Sequence, residues 1–415
     1  KQNLPIKSIC QISQNELCLG TDGKGTKIFN IPKQLITDYP FDNNYLDSGT
    51  SKVHSVLKDN AGNLWIAIYQ KGVMMIPAQP NSFKYIGYKS INKNIIGSNC
   101  ITSLCRDHEG ILWIGTDNDG IYGITTELKQ KVHYAPHDSP SSVPSTVFGL
   151  YEDSEHNLWF GSYTNGLGRL DKKTGQCSYL QNLTDKNGNR IQRVYDLVED
   201  QDKRLWIATM GAGLFYYDLK TGQSVYDPKF NAATKKYKWI SCLLYAGDNH
   251  LYVGTYDGIR CIDLSTDDFK TEEILSRHII HSLYEDPQGN IWIGNSEGLA
   301  EWNPQTQQLK TYTTAHGLSS NAVYAIKGDG QDNLWISTNA GMSRFNLNTH
   351  TFSNFYADDG LQGNEFSKNA SFADHNGILW FGGTNGITYF NPQEITNPAK
   401  NGTYASSTSI CTTSP

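Results

Sequence analysis

The chain has 415 residues, a net charge of −6, 38 glycines and 12% aromatic residues. The acidic balance argues against a general nucleic-acid binder, which would carry a basic surface. No apolar run approaches the roughly 18 residues needed to cross a bilayer, and no signal peptide opens the sequence.

Frequent Gly, Thr, Asn and Tyr favour strands and turns over helices. The chain opens directly into the strand-like KSICQIS, so we expect the natural protein to extend further at this end. One motif then recurs to the C-terminus. Its first and weakest copy is ELCLGTDGKGTKIFN from Glu16, followed by GNLWIAIYQKGVMMIP from Gly62 and GILWIGTDNDGIYGI from Gly110. HNLWFGSYTNGLGRLD, KRLWIATMGAGLFYYD and HLYVGTYDGIRCID start at His156, Lys203 and His250. GNIWIGNSEGLAEWN, QDNLWISTNAGMSRFN and GILWFGGTNGITYFN start at Gly289, Gln331 and Gly377.

The Trp of each copy marks the phase: Trp65, Trp113, Trp159, Trp206, Trp292, Trp335 and Trp380, with Cys18 and Tyr252 in the two irregular copies. Successive markers are 40 to 48 residues apart, the period of a propeller blade. Around Trp335, NAVYAIKGD, NLWIST, GMSRFNL and TFSNFYA read as four short alternating strands, A to D. The predicted fold is therefore all-β: a β-propeller of four-stranded antiparallel blades, with nine repeats. Nine blades in one ring would exceed the usual number. The partition we expect is two blades of a preceding propeller over 1–94, a seven-bladed propeller over 95–395, and a polar tail over 396–415.

Each marker Trp has an aspartate six residues before it: Asp59, Asp107, Asp153, Asp200, Asp286, Asp329 and Asp374. Such an aspartate can accept backbone N–H bonds across the A–B turn. A glycine six or seven residues after the marker is expected to supply a positive φ in the B–C turn. Read as catalytic carboxylates and sugar-stacking rings, these residues would make seven copies of a site. Their recurrence instead fits turn geometry and packing between blades, so the tryptophans are structural.

The eight cysteines are scattered, without a zinc-like His/Cys cluster. We expect no metal and no cofactor. Most sit in strand positions as small apolar residues; a Cys10–Cys18 or Cys242–Cys261 bridge is the alternative in an oxidising compartment.

Loops carry function in a scaffold of this kind. The B–C loops offer Asp117, Asn118, Asp119, Tyr163, Asn165, Tyr256, Asp257, Asn295, Glu297, Asn339 and Asn385, whose amides, carboxylates and rings suit hydroxyl-rich ligands. All are also ordinary turn formers. The D–A loop KFNAATKKYKW places Lys229, Lys235, Lys236 and Lys238 beside Trp239. Arg190 and Arg193 lie in the preceding loop, and Arg277, His278 and His281 follow in the next. On adjacent blades of one face these would form a basic patch for an anionic oligosaccharide; the alternative is a solvated lysine loop. For catalysis, only His278 and His281 with Glu285 nearby suggest an arrangement to test, and Glu285 repeats in Glu152 and Glu199.

The repeat DxxGNLWIGTxxGLxxF resembles the two-component regulator propeller repeat along almost the whole chain. Two local stretches, 62–88 and 359–395, resemble the end of a first propeller and the closing blade of a second in sensors of that family. The resemblance implies the periplasmic sensor region of a Bacteroides-type hybrid two-component system. Such a region binds an oligosaccharide released from a glycan and relays to a histidine kinase beyond this chain. It also implies a homodimer in the full receptor, no nucleic-acid partner, and a membrane connection only through a helix outside this chain. On this reading the chain itself is not an enzyme. The other readings are a propeller-fold polysaccharide lyase or glycoside hydrolase, and a protein-binding or structural propeller.

Overall fold

A computed structural model of the protein describes residues 4–39, 50–60, 62–76, 78, 83–88, 94–97, 100–185, 187–226, 238–265 and 269–395. Among these it contains eight four-stranded antiparallel sheets and one three-stranded sheet. The strands around Trp335, Val323–Gly328, Asn333–Thr338, Met342–Asn346 and Thr351–Phe355, match the four predicted for that repeat.

Six sheets follow one another as blades 1 to 6, over 101–134, 147–179, 194–226, 240–276, 280–312 and 323–355. Blade 7 takes three strands from 366–390 and a fourth, Lys84–Ile86, from far upstream, with Ile86 opposite Ile387 and Lys84 opposite Tyr389. Strand A of each blade packs on strand A of the next, and that of blade 7 packs on that of blade 1, so seven blades close a ring. The boundary drawn at residue 95 thus cuts off a strand of the last blade. Periodicity alone could not show this, because the strand is three residues long and its sheet partners lie about 300 positions away. Before the ring, two sheets over 6–38 and 53–76 pack on each other around Cys18, Val53 and Ile66.

Each core cluster lies between consecutive blades. Trp113 of blade 1 packs with Val147 and Phe160 of blade 2, and Trp159 of blade 2 with Val194 and Leu205 of blade 3. The glycine two residues after the marker has a role there. A Cβ on Gly161 would lie 2.5 Å from the Val194 carbonyl oxygen of the next blade, a separation that real Cβ atoms do not tolerate. The seven B–C glycines of the ring all have positive φ, as expected.

The repeating aspartates do more than predicted. One oxygen of each accepts the backbone N–H four residues on, at 2.8 to 3.1 Å. The other accepts the indole N–H of the marker Trp in six repeats, at 2.6 to 3.4 Å. Trp335 Nε1 is the exception, buried with no acceptor. The seven described cysteines are all free. Cys242 and Cys261 lie on strands A and C of blade 4 with strand B between them. Two inter-strand spacings, about 9.5 Å, exceed a disulfide's reach.

Candidate functional site

The B–C and D–A loops meet at one end of the blades through backbone bonds. Asn118 N–H donates to Ser145 O, Gly166 N–H to Gln192 O, Gly211 N–H to Lys238 O, and Arg277 N–H to Asp257 O. These bonds set the loop residues in order around the rim.

The structure brings Arg190, Arg193 and Trp239 together. They line an open depression of about 340 Å³ over blades 2 to 4, together with Asp185, Met210 and Gly211. Arg193 lies 4.9 Å from the Tyr163 ring centroid. Arg190 donates to Asn165 O at 3.0 Å. Trp239 meets Tyr256 edge to face at 5.9 Å, and Trp239, Tyr256 and Tyr163 all expose their rings. Guanidinium groups beside exposed rings can hold a hydroxylated anion by paired N–H donors and a ring face.

Other predicted residues are placed differently. Asp257, Arg277 and His278 continue along the rim, where His278 Nε2 lies 3.3 Å from Glu297 and its Nδ1 2.7 Å from Ser276 O. Asn339 and Asn385 belong to blades 6 and 7, away from the depression. Asn339 accepts from Ser320, and Asn385 accepts from Tyr85 and Tyr88. Lys236, like Lys229 and Lys235, lies outside the described residues. His278, His281 and Glu285 do not form one site. His278 is in the rim loop, His281 is buried against Tyr324, and Glu285 accepts from Gly247 at the opposite end of its strand. Glu152 and Glu199 play the same part as Glu285, accepting from His108 and Ser154 of the preceding blade. The recurring glutamate is thus a brace between blades.

Sequence reading missed the central channel. The A strands enclose a cavity of about 430 Å³ into which Asp196, Lys327, Lys368 and Asn369 project. Asp196 accepts from Leu197 N–H at 2.9 Å, Leu243 N–H at 2.8 Å and Asn369 Nδ2 at 3.1 Å. Burial outweighs these bonds and raises its carboxyl to about 6. Burial also lowers Lys327, against the opposing pull of Asp196, and lowers Lys368. Aligned repeats carry the signal. Asp196 stands where other blades have Ser103, Cys242, Ser282 and Ala325, and Lys327 where they have Cys105, Tyr151, Val198, Leu244, Tyr284 and Phe372. Lys368 and Asn369 sit in a bulge between Phe366 and Ser371, with Asn369 at φ +55°, and a bulge re-aims side chains.

Among the described residues, His108, Glu152 and His156 form a group whose ligand atoms lie within 4.8 Å of one another. The two imidazoles stack at 3.8 Å, and Lys172 donates to Glu152 at 2.7 Å. This ammonium already neutralises the carboxylate that a cation would need.

Five stretches, 95–118, 141–164, 185–211, 274–297 and 317–340, match the family model described as two component regulator propeller. The matched stretches are similar to the repeats of that family. The chain is also similar to histidine kinase P4 of Formosa agariphila, at 24% identity over 402 residues. That alignment covers 94% of this chain and 22% of the relative. Among solved structures, it shares its fold with an extracellular domain assigned to a hybrid two component system of B. thetaiotaomicron. The TM-score is 0.65 at 18% identity, covering 92% of this chain and 61% of that one. A second extracellular domain, assigned to a one component system of the same organism, gives 0.63 at 19%, covering 95% and 54%. The chain therefore spans about a fifth of the kinase and a little over half of these domains. Among the described residues no helix is long and apolar enough to cross a membrane.

Proposed function

We propose that this chain is the ligand-sensing part of a two-component signalling receptor, that it works in the periplasm, and that it recognises an oligosaccharide bearing acidic or sulfate groups. The relay to a histidine kinase would pass through parts of the receptor beyond this chain. The observation that carries the ligand reading is the grouping of Arg190, Arg193 and Trp239 in one open depression, beside the exposed rings of Tyr163 and Tyr256. Repeats and fold similar to those of two-component sensors support the signalling role. Recognition without turnover is the reading for this face, because Asp185 is the one carboxylate among the described residues lining the depression and a glycosidase needs two.

Calorimetry against neutral, uronic-acid and sulfated oligosaccharides, with each mixture assayed for product, tests the proposal. Binding of a charged class without product is expected. Arg193→Ala should weaken it by about tenfold, since hydrogen bonds to charged groups contribute roughly 1.5–3 kcal/mol, and Trp239→Ala should weaken it through loss of its ring face. Product formation, or binding indifferent to both substitutions, would refute it.

A further inference from the structure

We propose that the central channel is a second binding site, for one small hydroxylated carboxylate whose anionic group is met by the Lys327 and Lys368 ammonium groups. The inference stands apart from the loop-face reading, because it rests on other residues in another part of the ring.

The cavity has the volume of a small-molecule site. Its two lysines, Lys327 and Lys368, share the cavity with Asp196 and Glu365 but pair directly with neither. Asp196 has both oxygens engaged by three N–H donors from Leu197, Leu243 and Asn369, so little of its acceptor capacity is left for a lysine. Neither Lys327 nor Lys368 is within ion-pairing distance of a carboxylate among the described residues. Lys368 instead faces the Tyr324 ring at 5.6 Å. Glu365 also lines the cavity, but it is exposed. The other titratable lining groups, Cys100, Tyr195 and Tyr324, are held neutral by burial. A half-buried ammonium without a direct ion-pair partner is unfavourable, and an entering carboxylate supplies that partner. The remaining wall suits a hydroxylated body: ring faces from Phe148 and Tyr195, and a buried Ser103 hydroxyl with no partner.

Burial lowers the affinity of both lysines for protons, and a bound anion reverses that shift. Binding should therefore draw protons from solution at alkaline pH.

The test is calorimetry of the full chain with D-glucuronate as probe and D-glucose as its neutral counterpart, in buffers of differing ionisation enthalpy. Expected are binding of glucuronate alone, proton uptake that grows with pH, and weakening by about tenfold or more in Lys327→Met and in Lys368→Met. Should either variant fail to fold, proton uptake by the unaltered protein still decides the matter. Equal binding of glucose overturns the proposal, as does no binding of glucuronate, binding without proton uptake, or loss on Arg190→Ala with both lysine variants unaffected.

Discussion

Asp286 receives Asn290 N–H on one oxygen and the Trp292 indole N–H on the other. It thereby ties a turn to the ring that fills the space between two blades. Asp329 holds its turn in the same way, but Trp335 donates nothing to it. Replacing Asp286 by Ala strands a buried indole N–H as well as the turn, whereas at Asp329 only the turn is lost. Urea unfolding should show Asp286→Ala as the more damaging of the two by about 1–3 kcal/mol. Equal effects would mean that the indole bond contributes nothing.

His281 gives a second residue-scale expectation. Burial, with the Lys368 ammonium adding to it, lowers its pKa to about 3. The unfolded chain binds a proton there near 6.5 and the folded chain does not until about 3, so stability is intact above 6.5 and declines as pH falls between these values. The contribution approaches about 1.4 kcal/mol per pH unit. In His281→Gln the acid-side decline in unfolding free energy should be shallower by that amount. The aspartate–tryptophan spacing was plain in the sequence, but the indole bond was not, because six residues of separation do not say which way a side chain turns.

At the scale of elements, the decisive feature is the strand Lys84–Ile86. Ile86 is fully buried, and Phe83 beside it packs edge to face on Phe390 at 4.8 Å. An upstream strand in the last sheet joins the two ends of the ring by hydrogen bonds as well as by packing. We take 83–395, rather than 95–395, as the folding unit. A chain beginning at residue 95 should be less stable than one beginning at 83 by at least about 4 kcal/mol, the scale of losing two large buried side chains. Coincident urea transitions would restore the original boundary. Glu285 stands near His278 and His281 in the sequence and repeats in Glu152 and Glu199; all three are inter-blade braces. Their repetition was legible; their acceptor role needed the neighbouring blade.

Across the whole molecule, a ring places residues by blade and by height, not by distance along the chain. Arg190, Arg193 and Trp239 lie together because they come from successive D–A loops. Asn339 and Asn385 share the same end of the ring, but other blades carry them away. Trp65 shows the same logic. Its counterparts in the ring are at most 3% exposed, and it is 39% exposed, although its local motif is a good one. The period, the four strands per repeat and the turn chemistry were all written locally, since each follows from side-chain alternation and backbone preference within some 45 residues. Ring closure, the brace between blades and the charged channel depend on residues from seven separate repeats meeting around one axis. Asp196, Lys327 and Lys368 are ordinary residues of short strands until the A strands converge, and only that convergence withdraws them from water and sets their charges against one another.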